Sequence, residues 1–332
     1  MRHSDPLKTR QLLVGTVVSL SLLLFLIKKV DFEQLFSHLG SVDLHYFVLA
    51  VLLIFVVHLQ RTARWKYLLH HDKDIGLKTL FVPLMIGNSM NLIIPAKGGE
   101  LTRAYVLGQK ENLSKSYLLA TIMLEKGLDL FTLLAFLAAL SLIFPLPAWG
   151  RELAWLSSLV FVTMVSFLLL AVFKRERFLD ATRALLGPFP IRIKTKVVGL
   201  TQTFMAGLTV LHCTRDYVIA AASSIVIWLT YGAMLFSLSQ AMDIHLPPYG
   251  SLFLAAVLQL TAVVPSLPWY AGTYEAALVG GLTLFQEGYA SALVLALLLR
   301  TAQLFPVGLG FLFAMRESFR LTTDLDHMSD VM

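Results

Sequence analysis

The chain has 332 residues, 57% of them hydrophobic and only 14% charged, with a mean hydropathy of +0.73. Values this far from those of a soluble domain exclude an ordinary globular protein and point to a polytopic membrane protein. The net charge of +6 does not imply nucleic acid, because the basic residues sit in short loops between apolar runs, and the single cysteine, Cys213, excludes an internal disulfide or a cysteine-based zinc or iron–sulfur site.

A spanning helix needs about 20 apolar residues. The first such run, residues 11–27, is followed by Lys28-Lys29-Val30-Asp31 rather than a small-residue cleavage site, and reads as a retained first helix. Residues 44–60 form the next span. Arg61, Arg64 and Trp65 follow at its cytoplasmic end, and two readings are open. They anchor the helix, with snorkelling cations and an interfacial aromatic, or the two arginines, three apart on one face, hold a phosphate.

Residues 80–94 are apolar but too short to cross comfortably, and they run through Asn91 into Pro95, Gly98 and Gly99, then into Glu100 and Arg103. Proline removes a backbone donor and glycine loosens a helix, so this stretch must lie against protein or a water-filled cavity, since lipid satisfies no freed peptide group. A re-entrant, broken helix is the expectation. The span at 116–144 carries Glu125, Lys126 and Asp129 about three turns in; Glu125 and Asp129 are four apart and share a face. Each charge at the centre of a span costs about 2.5–3.5 kcal/mol on insertion scales, so these residues need partners or a function, and Arg300, at a comparable depth in a later span, is the partner expected for Glu125 or Asp129.

Residues 152–173 form a further span, and 174–216 the largest cytoplasmic connection, part of it an amphipathic surface helix. After the span 217–240 comes a second short apolar segment, 250–264, which breaks at Pro265 and Pro268 and leads through Trp269, Tyr270, Gly272 and Tyr274 to Glu275. The last span is 289–315, and the tail 316–332 is expected to be disordered from Thr322. His58, His70 and His71 have no carboxylate spacing that suggests a metal site, and no cofactor is expected.

Lys and Arg gather in 1–10, 61–79, 95–115, 174–216 and 316–332, whereas the opposite side carries only Lys28, Lys29 and Arg151. That bias puts both termini in the cytoplasm, provided that the two broken segments return to the side they entered from. The order of span, broken segment and span recurs between 44–144 and 217–315, starting outside in the first copy and inside in the second. Inverted repeats with discontinuous helices are a common layout of secondary transporters, whose site lies near the midplane. The fold class is therefore all-α: a single membrane domain over residues 1–332, a bundle of six spanning helices and two re-entrant broken helices, in the cytoplasmic (inner) membrane. Whether it forms a homo-oligomer is open.

Arg61-x-x-Arg64-Trp65, Asn91-x-x-x-Pro95 leading to Gly99-Glu100-x-x-Arg103, Glu125-Lys126-x-x-Asp129, and Pro265-x-x-Pro268 leading to Gly272-x-Tyr274-Glu275 together resemble the lysylphosphatidylglycerol synthase transmembrane-region family over nearly the whole chain. The departures are Lys126, where arginine is more frequent, and Leu267 with Trp269, where proline-glycine-glycine is common. The resemblance implies a flippase-like membrane protein that moves a lipid headgroup. Members that also make aminoacylated lipid carry a soluble transferase domain after the membrane part, for which this sequence, ending at Met332, has no residues, so synthase activity is not expected.

The leading reading is a lipid translocator whose groove is lined by Arg61, Arg64, Asn91, Glu100, Arg103, Glu125, Asp129, Tyr274, Glu275 and Arg300, with anionic or phosphate-bearing lipids as its partners. An ion-coupled small-solute transporter is the main alternative, because buried acids also make proton relays. The third is a membrane-embedded lipid transferase with Glu100 or Asp129 as general base, for which no acidic pair suited to magnesium is present.

Overall fold

A computed structural model describes residues 40–69, 74–94, 98–143, 214–261 and 270–329, with scattered positions between 152 and 199. Among these residues all regular structure is helical. The elements are α1 (Leu44–Leu69), α2 (Leu77–Ile93), α3 (Gly98–Glu111), α4 (Lys115–Ile143), α5 (Thr214–Gln240), α6 (Pro248–Thr261), α7 (Thr273–Leu282), a 3-10 turn at Thr283–Phe285, and α8 (Tyr289–Ser329). The expected spans 11–27 and 152–173 and the surface helix within 174–216 lie outside the continuously described residues, as do Pro265 and Pro268 of the second break.

Among the described residues, three helices are long and apolar enough to cross a membrane: Leu44–Leu69, Val218–Gln240 and Tyr289–Glu317. Helix α4 is longer than the first two but carries Glu125, Lys126 and Asp129 in its middle. The short apolar helices α2 and α6 each stop at a break, and each break is followed by another short helix, α3 or α7. The element order long, short, break, short, long thus occurs twice.

Two expectations about helix ends are corrected. Helix α1 does not end near Gln60 but continues to Leu69, so Arg61, Arg64 and Trp65 lie inside it, and Arg64 and Trp65 are buried rather than snorkelling. An apolar-run count ends a span at its first charges; a charge that gains a buried partner need not end it. Helix α8 runs to Ser329, past Thr322, where disorder was expected. The residues from Arg316 to Ser329 contain neither proline nor glycine, and a helix already nucleated upstream extends without a new nucleation cost.

The described residues group into two compact units. The first draws on the chain up to Leu59 together with Lys78–Val106 and Thr230–Met332; the second is built from Gln60–Leu77 and Leu107–Leu229. In the first unit, α2 packs on α8. Phe81 meets Phe313 edge-on at 6.2 Å, the Ser89 hydroxyl donates to the Val307 carbonyl at 2.7 Å, and Gly310 leaves room where a side chain would strike Ser89 and the Met85 carbonyl. Close approach through small residues is how helices associate where lipid removes any hydrophobic drive between them. Helix α7 packs on α6 and α8, and the backbone of Asp43, just before α1, donates to the Ala241 carbonyl after α5.

Candidate functional site

In the first unit the ends of both interrupted helices carry charge. At the first break, α2 and α3 approach so closely that a Cβ on Gly87 would lie 2.7 Å from the Gly99 carbonyl oxygen and 2.9 Å from the Arg103 Cβ. The amide of Gly99, in the first turn of α3, donates to the Asn91 side-chain oxygen at 3.0 Å. The last turn of α2 thereby caps the helix that begins after the break, satisfying one of the amides that every helix start leaves open. Asn91, expected to line a groove, is in this arrangement a cap. One turn into α3, Arg103 is 4% exposed and its guanidinium lies 4.0 Å from the Glu100 carboxylate.

At the second break the chain turns through left-handed conformations at Tyr270 (φ 57°) and Gly272 (φ 85°) before α7 begins. Glu275 serves both the turn and a neighbour. One carboxylate oxygen accepts the Gly272 amide at 2.7 Å, and the other accepts Nε of Arg300, from α8, at 2.8 Å. Arg300 also donates to the Tyr270 carbonyl at 3.3 Å and lies 4.8 Å over the ring of Tyr274, which is stacked on Tyr270 at 5.6 Å. Glu100 of the first break lies within electrostatic reach of Tyr270 of the second. A carboxylate that caps a helix start and a guanidinium that it holds form a charge-assisted pair aimed by two backbones.

The second unit holds a different cluster. Arg64 forks onto Asp129 at 2.7 and 3.3 Å and donates to the Ser224 hydroxyl at 2.7 Å, and its Nε lies 3.9 Å from Glu125. Arg64, Asp129 and Glu125 are only 3%, 3% and 2% exposed. Trp228 donates to Asp129 at 3.3 Å, and Trp65 to the Thr121 hydroxyl at 3.1 Å. Arg61 lies 5.7 Å over the Trp228 ring. For Asp129 and Arg300 these contacts differ from the expected pairing of Arg300 with Glu125 or Asp129. Asp129 pairs with Arg64 and Arg300 with Glu275, because Arg64 stays within the helix and reaches α4 there.

Sequence reasoning missed Ser224 and Trp228. Serine is frequent in membrane helices for packing alone, so Ser224 carries no signal. Trp228 does carry one: a tryptophan in the middle of an apolar span, away from the interface where the residue usually sits, needs a partner for its N–H. Among the described residues no group of three His, Cys, Asp or Glu side chains is arranged to hold a metal ion.

The order of these motifs along the chain, now seen on interrupted helices, can be compared with known families. The model of the Lysylphosphatidylglycerol synthase TM region matches residues 12–310. The chain belongs to that family. A UPF0104 membrane protein of Methanothermobacter thermautotrophicus is 32% identical over 180 residues, covering 52% of this chain and 51% of that protein. A UPF0104 membrane protein of Methanocaldococcus jannaschii is 28% identical over 119 residues, 34% of either chain. The matched part thus spans about half of the first of these curated relatives and about a third of the second. No solved structure matches.

Proposed function

We propose that the protein translocates lipid across the cytoplasmic membrane, sheltering an anionic or phosphate-bearing headgroup among polar side chains while the acyl tails stay in the bilayer. Both termini are cytoplasmic in this reading, and the two broken helices are re-entrant elements of an inverted repeat. One observation carries it: within a single unit, both helix breaks bear charged residues that are largely withdrawn from solvent, with Arg103 beside Glu100, and Arg300 held by Glu275 and stacked on Tyr274. Interrupted helices in a membrane are tolerated where they line a cavity or are buried in protein, and intramembrane charges mark substrate paths. Membership of the family points the same way.

The test is lipid translocation in proteoliposomes. Glu100→Gln and Arg103→Ala each abolish translocation while the protein inserts and purifies normally, because a headgroup in a low-dielectric groove depends on paired charge. Arg103→Lys rescues poorly, since an ammonium lacks the planar fork. Arg151→Ala, a charge that the sequence assigns to an external loop, serves as the control. Wild-type rates in both Glu100→Gln and Arg103→Ala would remove the first break from the mechanism. Uptake of a soluble solute without lipid movement would instead favour an ion-coupled transporter, and a modified lipid made by the purified protein would favour a transferase.

A further inference from the structure

In the second unit the two arginines of α1 have separate fates. The two terminal nitrogens of Arg64 donate to Asp129 and Ser224, and its Nε, without a hydrogen bond, faces Glu125 at 3.9 Å. Arg61, one turn earlier, shares the buried, unpartnered Nε but has no such carboxylate fork; its guanidinium lies over the face of Trp228 at 5.7 Å. The indole cannot turn away to relieve it, because Trp228 is buried and its N–H is held by Asp129 at 3.3 Å. A ring face stabilises a cation but accepts no fork of N–H donors.

Arg61 also lies within electrostatic reach of Asp129, whose two carboxylate oxygens already accept from Arg64 and Trp228. Arg61 as a whole is only part-buried, so a ligand can reach its guanidinium. We propose that Arg61, oriented by the Trp228 face, forms an anion site for a phosphate group, separate from the two helix breaks. The phosphate belongs to a phospholipid headgroup or to free inorganic phosphate. Arg64 is excluded as the second ligand of that phosphate because both its terminal nitrogens are turned to Asp129 and Ser224.

Equilibrium binding to the full-length protein in detergent tests this without any transport step, so a failure here is distinct from a failure of the translocation reading. The probes are dioctanoyl-phosphatidylglycerol, dioctanoylglycerol, which lacks phosphate, and inorganic phosphate, read by tryptophan emission and by native mass spectrometry. Dioctanoyl-phosphatidylglycerol binds saturably and alters the emission, dioctanoylglycerol does not, and Trp228→Phe removes the emission change while binding persists. Arg61→Gln raises the apparent Kd by about tenfold or more, as expected for loss of a charge-assisted contact, and Arg61→Lys falls between. If inorganic phosphate reproduces the saturable change, free phosphate is the occupant; a response to the lipid alone assigns the site to a headgroup. Wild-type affinity in folded Arg61→Gln, or equal binding of dioctanoylglycerol, overturns the proposal. Should Arg61→Gln fail to fold, wild-type affinity in Arg61→Lys overturns it as well, since lysine offers neither the fork nor the stacking plane.

Discussion

A guanidinium among apolar side chains needs acceptors for its donors, and Arg64 finds them on two helices, Asp129 on α4 and Ser224 on α5. Removing one member of such a pair costs more than removing both, because the survivor is left charged and dry. Asp129→Asn and Arg64→Met are therefore each expected to destabilise the protein by about 3–5 kcal/mol, whereas Arg64→Met with Asp129→Leu is milder than either alone. Denaturant titration in detergent measures the three; additivity of the single changes would mean that the two side chains do not act as a pair. The charged residues themselves were legible in the sequence, since an intramembrane charge is conspicuous. Their partners were not. Side-chain pairing between helices depends on rotation about each axis, and a string of apolar residues such as those around Ser224 and Trp228 fixes no such rotation.

Helix–helix contact in this chain is set by which glycines face a neighbour. In α8, a Cβ on Gly310 would strike Ser89 and the Met85 backbone, while Gly308, two residues earlier, has nothing within 4 Å. In α7 the same contrast holds between Gly281, which faces Leu254, and Gly280, which faces nothing. Gly310→Ala is expected to destabilise by about 1–3 kcal/mol, because backbone cannot step aside. Gly281→Ala costs less, since the end of a leucine side chain can move, and Gly308→Ala and Gly280→Ala are neutral or slightly stabilising through better helix propensity. Thermal unfolding of the four variants checks the ranking, and equal effects at Gly308 and Gly310 would refute the close α2–α8 contact. At this scale the sequence was more informative: proline and glycine punctuation located both breaks and the short apolar helices that precede them, though not the short helices that follow. It misjudged the end of α1, because a count of apolar residues treats every charge as a boundary.

For the molecule as a whole, the distribution of lysine and arginine makes a prediction about sidedness. With Cys213→Ser as background, a cysteine at exposed Lys110 is expected to resist a membrane-impermeant maleimide added from outside, and one at exposed Gly288 to react. Labelling of Lys110→Cys from outside would sink the topology in which the first broken helix returns to the cytoplasm. The doubled element order invites the idea that the chain is two self-sufficient halves laid end to end, yet its compact units are not those halves. The stretches up to Leu59 and Lys78–Val106 come from the first half and join Thr230–Met332 from the second, while Gln60–Leu77 and the residues from Leu107 combine with chain that runs on to Leu229. A gene cut between the two runs, within 144–213, would yield fragments that each hold parts of both units and all of neither. Neither fragment alone should accumulate in the membrane, but the two produced together should complement, which makes this chain a candidate for reassembly from split genes and a poor one for dissection into working modules.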